Sequence, residues 1–194
     1  MSFFPMFIEM KDLPVLVVGG GQVALRKVET LCSFGARITV VSPCFCDGFC
    51  NECWSGTKLE LLRRRFIPED LDGIKLAVAA TADAAVNRLA AEECRRRNIP
   101  INVVDVPQLC DFFFPAVVKR GELTVGICSG GGAPAFSGRL KEYLDNRLPP
   151  DLEWDLRRLA ARRKSVLDRG TRPADDREYL EMIDRLMGRI ADNG

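Results

Sequence analysis

Three groups of residues in this 194-residue chain have types and spacings suited to chemistry. The first is Gly19-x-Gly21-x-x-Ala24, in which one glycine permits a tight turn, the next lets backbone amides approach an anion, and a small third residue lets a helix pack close to a strand. The second is the carboxylate of Asp105, which follows the apolar run Pro100-Ile101-Asn102-Val103-Val104. The third is Cys44, Cys46, Cys50 and Cys53, a density at which thiolates can hold zinc or an iron–sulfur cluster. Histidine is absent, which excludes a Ser-His-Asp triad, a Cys-His pair and any His-ligated metal. Proton transfer therefore falls to Asp, Glu, Lys, Tyr, Cys or water.

The elements that must position these groups are legible in the hydrophobic pattern. Leu13 to Val18 is a continuous apolar run that ends in three glycines, as a strand buried on both faces does. Beyond the glycines, Val23, Ala24, Val28, Leu31 and Cys32 recur at helical spacing, and Gly35 closes the segment. Arg37 to Val41 is a second strand, so the unit is a βαβ crossover of roughly thirty residues. Further strands are expected at Leu59 to Phe66, Ile74 to Ala80 and Pro100 to Asp105, with an Ala-rich helix from Thr81-Ala82-Asp83 to about Arg97. This alternation predicts an α/β fold, a Rossmann-type doubly wound parallel sheet with ligands at the carboxyl ends of its strands. The pattern then changes. Phe112 to Val118 and Glu122 to Ile127 read as a strand pair, and from Ala135 onward helices are interrupted by Pro149-Pro150 and by Gly170 to Pro173.

Charge is balanced, with 28 Lys and Arg against 27 Asp and Glu, so no whole-molecule field recruits nucleic acid or an anionic membrane. The apolar N-terminus lacks a basic stretch and is broken by Pro5, and no apolar run reaches the length of a membrane span. A soluble cytoplasmic protein is expected, with its eight cysteines as reduced thiols.

The glycine fingerprint follows a strand and opens a helix, the context that a dinucleotide pyrophosphate requires. Strand two ends Val41-Ser42-Pro43 with no acid for the adenosine ribose, and no arginine follows it immediately to meet a 2′-phosphate, which leaves a lean toward NAD. Asp105 lies on the ligand side of the sheet, where a carboxylate can act as general base; a turn aspartate bonding its own backbone ahead of Pro107 is the alternative. Ser129 and Gly130 open either an anion-binding nest or a plain glycine-rich turn. Arg139 and Lys141 either pair with substrate carboxylates or lie on a solvated helix face. Phe112 to Phe114 either pave a cleft or form a buried dimer strand, and Cys46, Cys50 and Cys53 also fit one apolar helical face.

The glycine loop, Asn102-Val103-Val104-Asp105, Phe114-Pro115-Ala116 and Ser129-Gly130-Gly131-Gly132-Ala133-Pro134 occur together and in order. This combination resembles the precorrin-2 dehydrogenase family, the dehydrogenase and ferrochelatase modules of siroheme synthesis, collinearly from about Phe4 to Leu148. The resemblance implies a homodimer made of an NAD-binding Rossmann domain (residues 1–111), a small α+β dimerisation region (112–148) and a helical C-terminal domain (149–194) beside the substrate cleft. It implies oxidation of precorrin-2 to sirohydrochlorin with NAD, and in some members insertion of ferrous iron. Asp105 then matches the family's essential aspartate, Gln22, Val23, Pro43 and Cys44 match its cofactor contacts, and Ser129 matches a serine phosphorylated in some members.

The resulting expectation places NAD on Gly19, Gly21, Gln22, Val23, Ser42, Pro43, Cys44 and Thr81, and the tetrapyrrole on Ser129, Gly130 and Arg139, with no resident metal. The chain has no room for the methyltransferase domain some members carry, so precorrin-2 is expected from a separate uroporphyrinogen methyltransferase. A bifunctional dehydrogenase and ferrochelatase is the nearest alternative. A non-catalytic NAD-sensing module is the alternative of another class.

Overall fold

Apolar runs too short for helices and bounded by glycine or proline become the strands of one parallel sheet. A computed structural model of the chain describes residues 4–50 and 54–192. They fall into two compact units, one spanning Met6–Phe113 and the other comprising residues 4–5 and 114–192.

The first unit contains β1 (Pro14–Val18), β2 (Arg37–Val41), β3 (Lys58–Leu62), β4 (Leu76–Ala79) and β5 (Ile101–Val103), in the order β3-β2-β1-β4-β5. All four pairings are parallel. Val15, Leu16 and Val17 are fully buried, as a central strand covered on both faces must be, and each such side chain contributes about 1.5–3 kcal/mol by leaving water. Helix α1 (Gln22–Ser33) buries Ala24, Val28 and Leu31 at helical spacing. Helix α2 (Ala84–Arg96) begins where the Asp83 carboxylate accepts the amides of Ala85 (2.9 Å) and Val86 (3.2 Å), and it ends on Arg95 and Arg96, charges that suit a helix C-terminus. The sheet grows outward in both directions from β1 and β4. Ligands of such sheets bind at that switch point, beyond the carboxyl ends of the strands.

The second unit contains an antiparallel ribbon of β6 (Ala116–Arg120) and β7 (Leu123–Ile127), followed by α3 (Pro134–Arg147), α4 (Leu152–Asp168) and α5 (Arg177–Asp192). The Arg162 guanidinium reaches from α4 to Asp176 (2.7 Å) and Glu178 (2.8 Å), while Arg189 on α5 reaches Asp151 (2.7 Å) and Asp155. Among the described residues no helix is long and apolar enough to cross a membrane.

The structure corrects several boundaries. The third strand stops at Leu62 rather than Phe66, because the Arg64 amide turns back to the Leu62 carbonyl (3.0 Å) and its guanidinium is taken by Asp70. The fifth strand stops at Val103, so Asp105 stands in a turn beyond it. Phe112 to Phe114 precede β6 instead of forming it: Asn102 Nδ2 donates to the Phe112 carbonyl (2.9 Å), which holds that segment beside β5. Lys119 and Arg120, expected between the strands, belong to β6. Cys46 and Cys50 flank a single 3-10 turn, Asp47–Phe49, whose buried residue is Phe49, so they do not share a helical face; Cys53 lies outside the described residues.

Candidate functional site

The loop after β1 is pinned from both sides. The Gly19 amide donates to the Val41 carbonyl at the end of β2 (2.9 Å). Gly19 has φ +124°, and a Cβ there would stand 2.4 Å from the Ala80 carbonyl oxygen at the end of β4, so only glycine fits. A Cβ on Gly20 would stand 2.2 Å from the Cys44 carbonyl oxygen and 2.9 Å from the Phe45 ring, and the Cys46 amide donates to the Gly20 carbonyl (2.8 Å). The segment after β2 is thereby stitched onto the glycine loop. Gly21 differs: a Cβ there would meet nothing within 4 Å. Gly21 is the N-cap of α1, supplies no side-chain cap, and is followed by a first turn without acidic residues. Open space before the unneutralised positive end of a helix is what a dinucleotide pyrophosphate needs, so these residues fit the group.

Gln22 is exposed and Val23 half-buried at the start of α1. Ser42 is buried, with its hydroxyl donating to the Cys44 carbonyl (2.7 Å), while Pro43 and Cys44 are exposed. Parallel pairing of Val41 with Leu62 sets Arg63 level with Ser42 on the same edge. The Arg63 guanidinium lies 5.2 Å from the centroid of the Phe45 ring, which in turn packs edge-on against Phe49 at 5.3 Å. At the end of β4, buried Asn87 bridges back to Thr81: its Nδ2 donates to the Thr81 carbonyl (3.0 Å) and its Oδ1 accepts the Thr81 amide (3.2 Å). The Thr81 hydroxyl also accepts the Asp83 amide (3.1 Å), which rigidifies the exit from β4.

Asp105 has φ +60°, a left-handed conformation that aspartate tolerates better than most side chains. The Val104 amide still reaches the Ala79 carbonyl (2.9 Å), and the Val106 amide closes the turn on the Val103 carbonyl (3.3 Å). The Cys110 thiol underlies this turn, accepting the Val103 amide (3.2 Å) and lying 3.1 Å from the Val103 carbonyl and 3.4 Å from that of Val106. Asp111 completes the clamp by accepting the Ile101 amide (3.0 Å). The Asp105 side chain is exposed and accepts no hydrogen bond among the described residues, so it is not a cap bonding its own backbone. Burial pushes the Lys27 ammonium on α1 below its ordinary range, Arg26 adds to this, and the charge of Asp105 opposes it.

Gly19, Gly21, Gln22, Val23, Ser42, Pro43, Cys44, Thr81 and Asp105 are thus gathered at the carboxyl edge of one sheet. Ser129, Gly130 and Arg139 belong to the other compact unit. There the Ser129 hydroxyl accepts the Ala133 amide (3.3 Å), Gly130 takes φ +66°, and exposed Arg139 lies on α3. Lys141 pairs with Asp145 one turn along the same helix (3.1 Å). Among the described residues no three His, Cys, Asp or Glu side chains are placed to share a metal ion. Burial pushes the Cys94 thiol up to about 12, a core thiol without nucleophilic character. Sequence reasoning missed Arg63, Asn87 and Cys110. The run Arg63-Arg64-Arg65 was the available signal for the first, since three consecutive charges do not continue a half-buried strand.

Residues 6–116, more than half of the chain, match the model of a family described as "Putative NAD(P)-binding". The chain is 43% identical to the siroheme synthase of Methylobacillus flagellatus over 149 residues, 77% of this chain and 32% of that protein. It is 37% identical to the siroheme synthase of Nitrosospira multiformis over an alignment covering 99% of this chain and 41% of that protein. The chain therefore spans a third to two-fifths of the length of these relatives. The solved structure of SirC, a precorrin-2 dehydrogenase, superposes with a TM-score of 0.66 at 25% identity, covering 98% of this chain and 100% of that one. A five-stranded parallel sheet, a glycine loop open at Gly21 and a family match across both lead to one conclusion: the chain belongs to this NAD(P)-binding family, among relatives of the precorrin-2 dehydrogenase and siroheme synthase kind.

Proposed function

We propose that the chain is an NAD-dependent precorrin-2 dehydrogenase that forms sirohydrochlorin. The observation that carries this reading is its end-to-end likeness to a solved precorrin-2 dehydrogenase. NAD⁺, when bound, supplies a two-electron hydride acceptor. The amides at the start of α1, with Gly19, Gly21, Gln22 and Val23, hold the pyrophosphate; Ser42, Pro43 and Cys44 border the adenosine half, and Thr81 the edge beyond β4. Asp105 accepts the proton that precorrin-2 loses along with its hydride, so that one substrate gives sirohydrochlorin, NADH and one proton. Its unshared carboxylate and clamped turn suit that role. Ser129, Gly130 and Arg139 receive the carboxylate arms of the tetrapyrrole.

Asparagine also tolerates the left-handed backbone, so Asp105→Asn tests the base without disturbing the turn. Under anaerobic conditions with precorrin-2 and NAD⁺, the variant is expected to keep its dinucleotide affinity and lose about 100-fold or more in turnover. Wild-type turnover would remove Asp105 from the mechanism. Absence of turnover in the unaltered protein, with dinucleotide still bound, would favour a sensing module instead.

The siroheme synthase names of the relatives favour a second reading, in which the chain also inserts iron. Fe²⁺ would displace two pyrrole N–H protons of sirohydrochlorin, with Asp105 accepting them one at a time and releasing each to water. Siroheme formation from sirohydrochlorin and Fe²⁺ without NAD, above the uncatalysed rate, decides it. Exposed Phe136 (63%) and Trp154 (70%), together with the two-stranded ribbon, favour a homodimer formed through the second unit. The described cysteines are all free thiols, which suits a reducing cytoplasm.

A further inference from the structure

The adenosine edge of the glycine-loop site carries a cation and lacks the acid that normally repels a 2′-phosphate. Strand β2 ends in Val41-Ser42-Pro43, and the Ser42 hydroxyl is already given to the Cys44 carbonyl (2.7 Å). The first acid after the strand, Asp47, stands in the 3-10 turn Asp47–Phe49. Three arginines follow the neighbouring strand β3, the first of them directly after the Val41–Leu62 pair. Arg64 is spent on a bidentate pair with Asp70. Arg63 is exposed and has no carboxylate partner among the described residues. Its guanidinium is instead laid over Phe45, at 5.2 Å from the ring centroid. Phe45 is itself packed against buried Phe49 at 5.3 Å and lies close to Gly20, where a Cβ would stand 2.9 Å from its ring. An arginine held on an aromatic platform keeps its donors pre-aimed, and its planar fork matches phosphate geometry.

We propose that Arg63 is a specificity-determining residue which admits a 2′-phosphate at the adenosine ribose, so that the site accepts NADP⁺ alongside NAD⁺. The inference rests on the dinucleotide reading of the glycine loop and is independent of which substrate is oxidised. The cation comes from the residue following β3 rather than from the one following β2, and the parallel pairing of Val41 with Leu62 is what brings it there.

Isothermal titration of the full chain with NAD⁺ and with NADP⁺ tests this without the tetrapyrrole. The unaltered protein is expected to bind the two within tenfold of one another. Arg63→Ala should lower the ratio of NADP⁺ to NAD⁺ affinity about tenfold, as expected for loss of one charge-assisted hydrogen bond, and Arg63→Lys should recover part of it. Arg65→Ala removes the same charge two positions on and should leave the ratio unchanged. A wild-type protein that discriminates more than tenfold against NADP⁺ overturns the proposal. So does an Arg63→Ala ratio that moves no further than that of Arg65→Ala. Failure of both dinucleotides to bind the unaltered protein would instead overturn the cofactor reading itself.

Discussion

Asp105 pays for its left-handed backbone, on the order of 1 kcal/mol for a side chain that bears a Cβ, and its neighbours supply the offset. The Cys110 thiol satisfies the Val103 amide, and Asp111 satisfies that of Ile101, so the strand end and the returning loop are tied on both sides of the turn. A sulfur in this position is a structural part of the Asp105 turn rather than a nucleophile, and burial pushes its pKa up. Cys110→Ala leaves the Val103 amide without that acceptor. The expected cost is about 1–2 kcal/mol of stability, read as a lower melting temperature, with turnover falling more than dinucleotide affinity. A variant with unchanged melting temperature and unchanged turnover would show that the turn holds itself.

At the scale of elements, the glycine loop is two mechanical parts. Gly20 is where the segment after β2 rests on the loop, whereas Gly21 faces open space. Gly20→Ala should therefore disturb the packing of Cys44 and Phe45 and reduce stability. Gly21→Ala, at φ −84°, should leave the melting temperature unchanged and still weaken dinucleotide binding about tenfold or more, because the added methyl stands where phosphate must approach. Equal melting temperatures for the two variants would contradict this division. The strand–loop–helix unit was readable because its signals agree: Val15 to Val18 are apolar without interruption, glycines follow, and Ala24, Val28 and Leu31 repeat at helical spacing. The ends of β3 and β5 were not, since what stops them is specific polar pairing that hydrophobic pattern does not register. Arg64 is drawn to Asp70 six residues on, and Asn102 and Asp111 tie the Asp105 loop to β5 across ten residues, pairings that the periodicity of apolar residues does not encode. For the same reason Phe112 to Phe114, with strong strand propensity, are held out of the ribbon.

At the scale of the whole molecule, each of the two units has its own internal source of stability. The Met6–Phe113 unit rests on an apolar sheet, whereas α4 and α5 add ion pairs around Arg162 and Arg189 to the few side chains they bury, Leu152, Val166 and Leu186. The amide of Tyr179, followed by the guanidinium of Arg162, holds the Asp176 carboxyl below its ordinary value of 3.8. A carboxylate depressed on folding stabilises the native state above its unfolded value and loses that contribution as pH falls through the folded one. Acid titration followed by hydrogen exchange should accordingly open α4 and α5 below about pH 4, before the parallel sheet, and Asp176→Asn should remove part of that acid dependence while weakening the pair at neutral pH. Simultaneous loss of both units would contradict it. The placement of Ser42 and Arg63 just past the ends of β2 and β3 has a different consequence, for how such a protein changes over generations. Residues there lie outside the sheet's core ladder, so cofactor preference can drift, or be redirected by an engineer, through one or two substitutions at the strand ends while the scaffold that carries the chemistry is left alone.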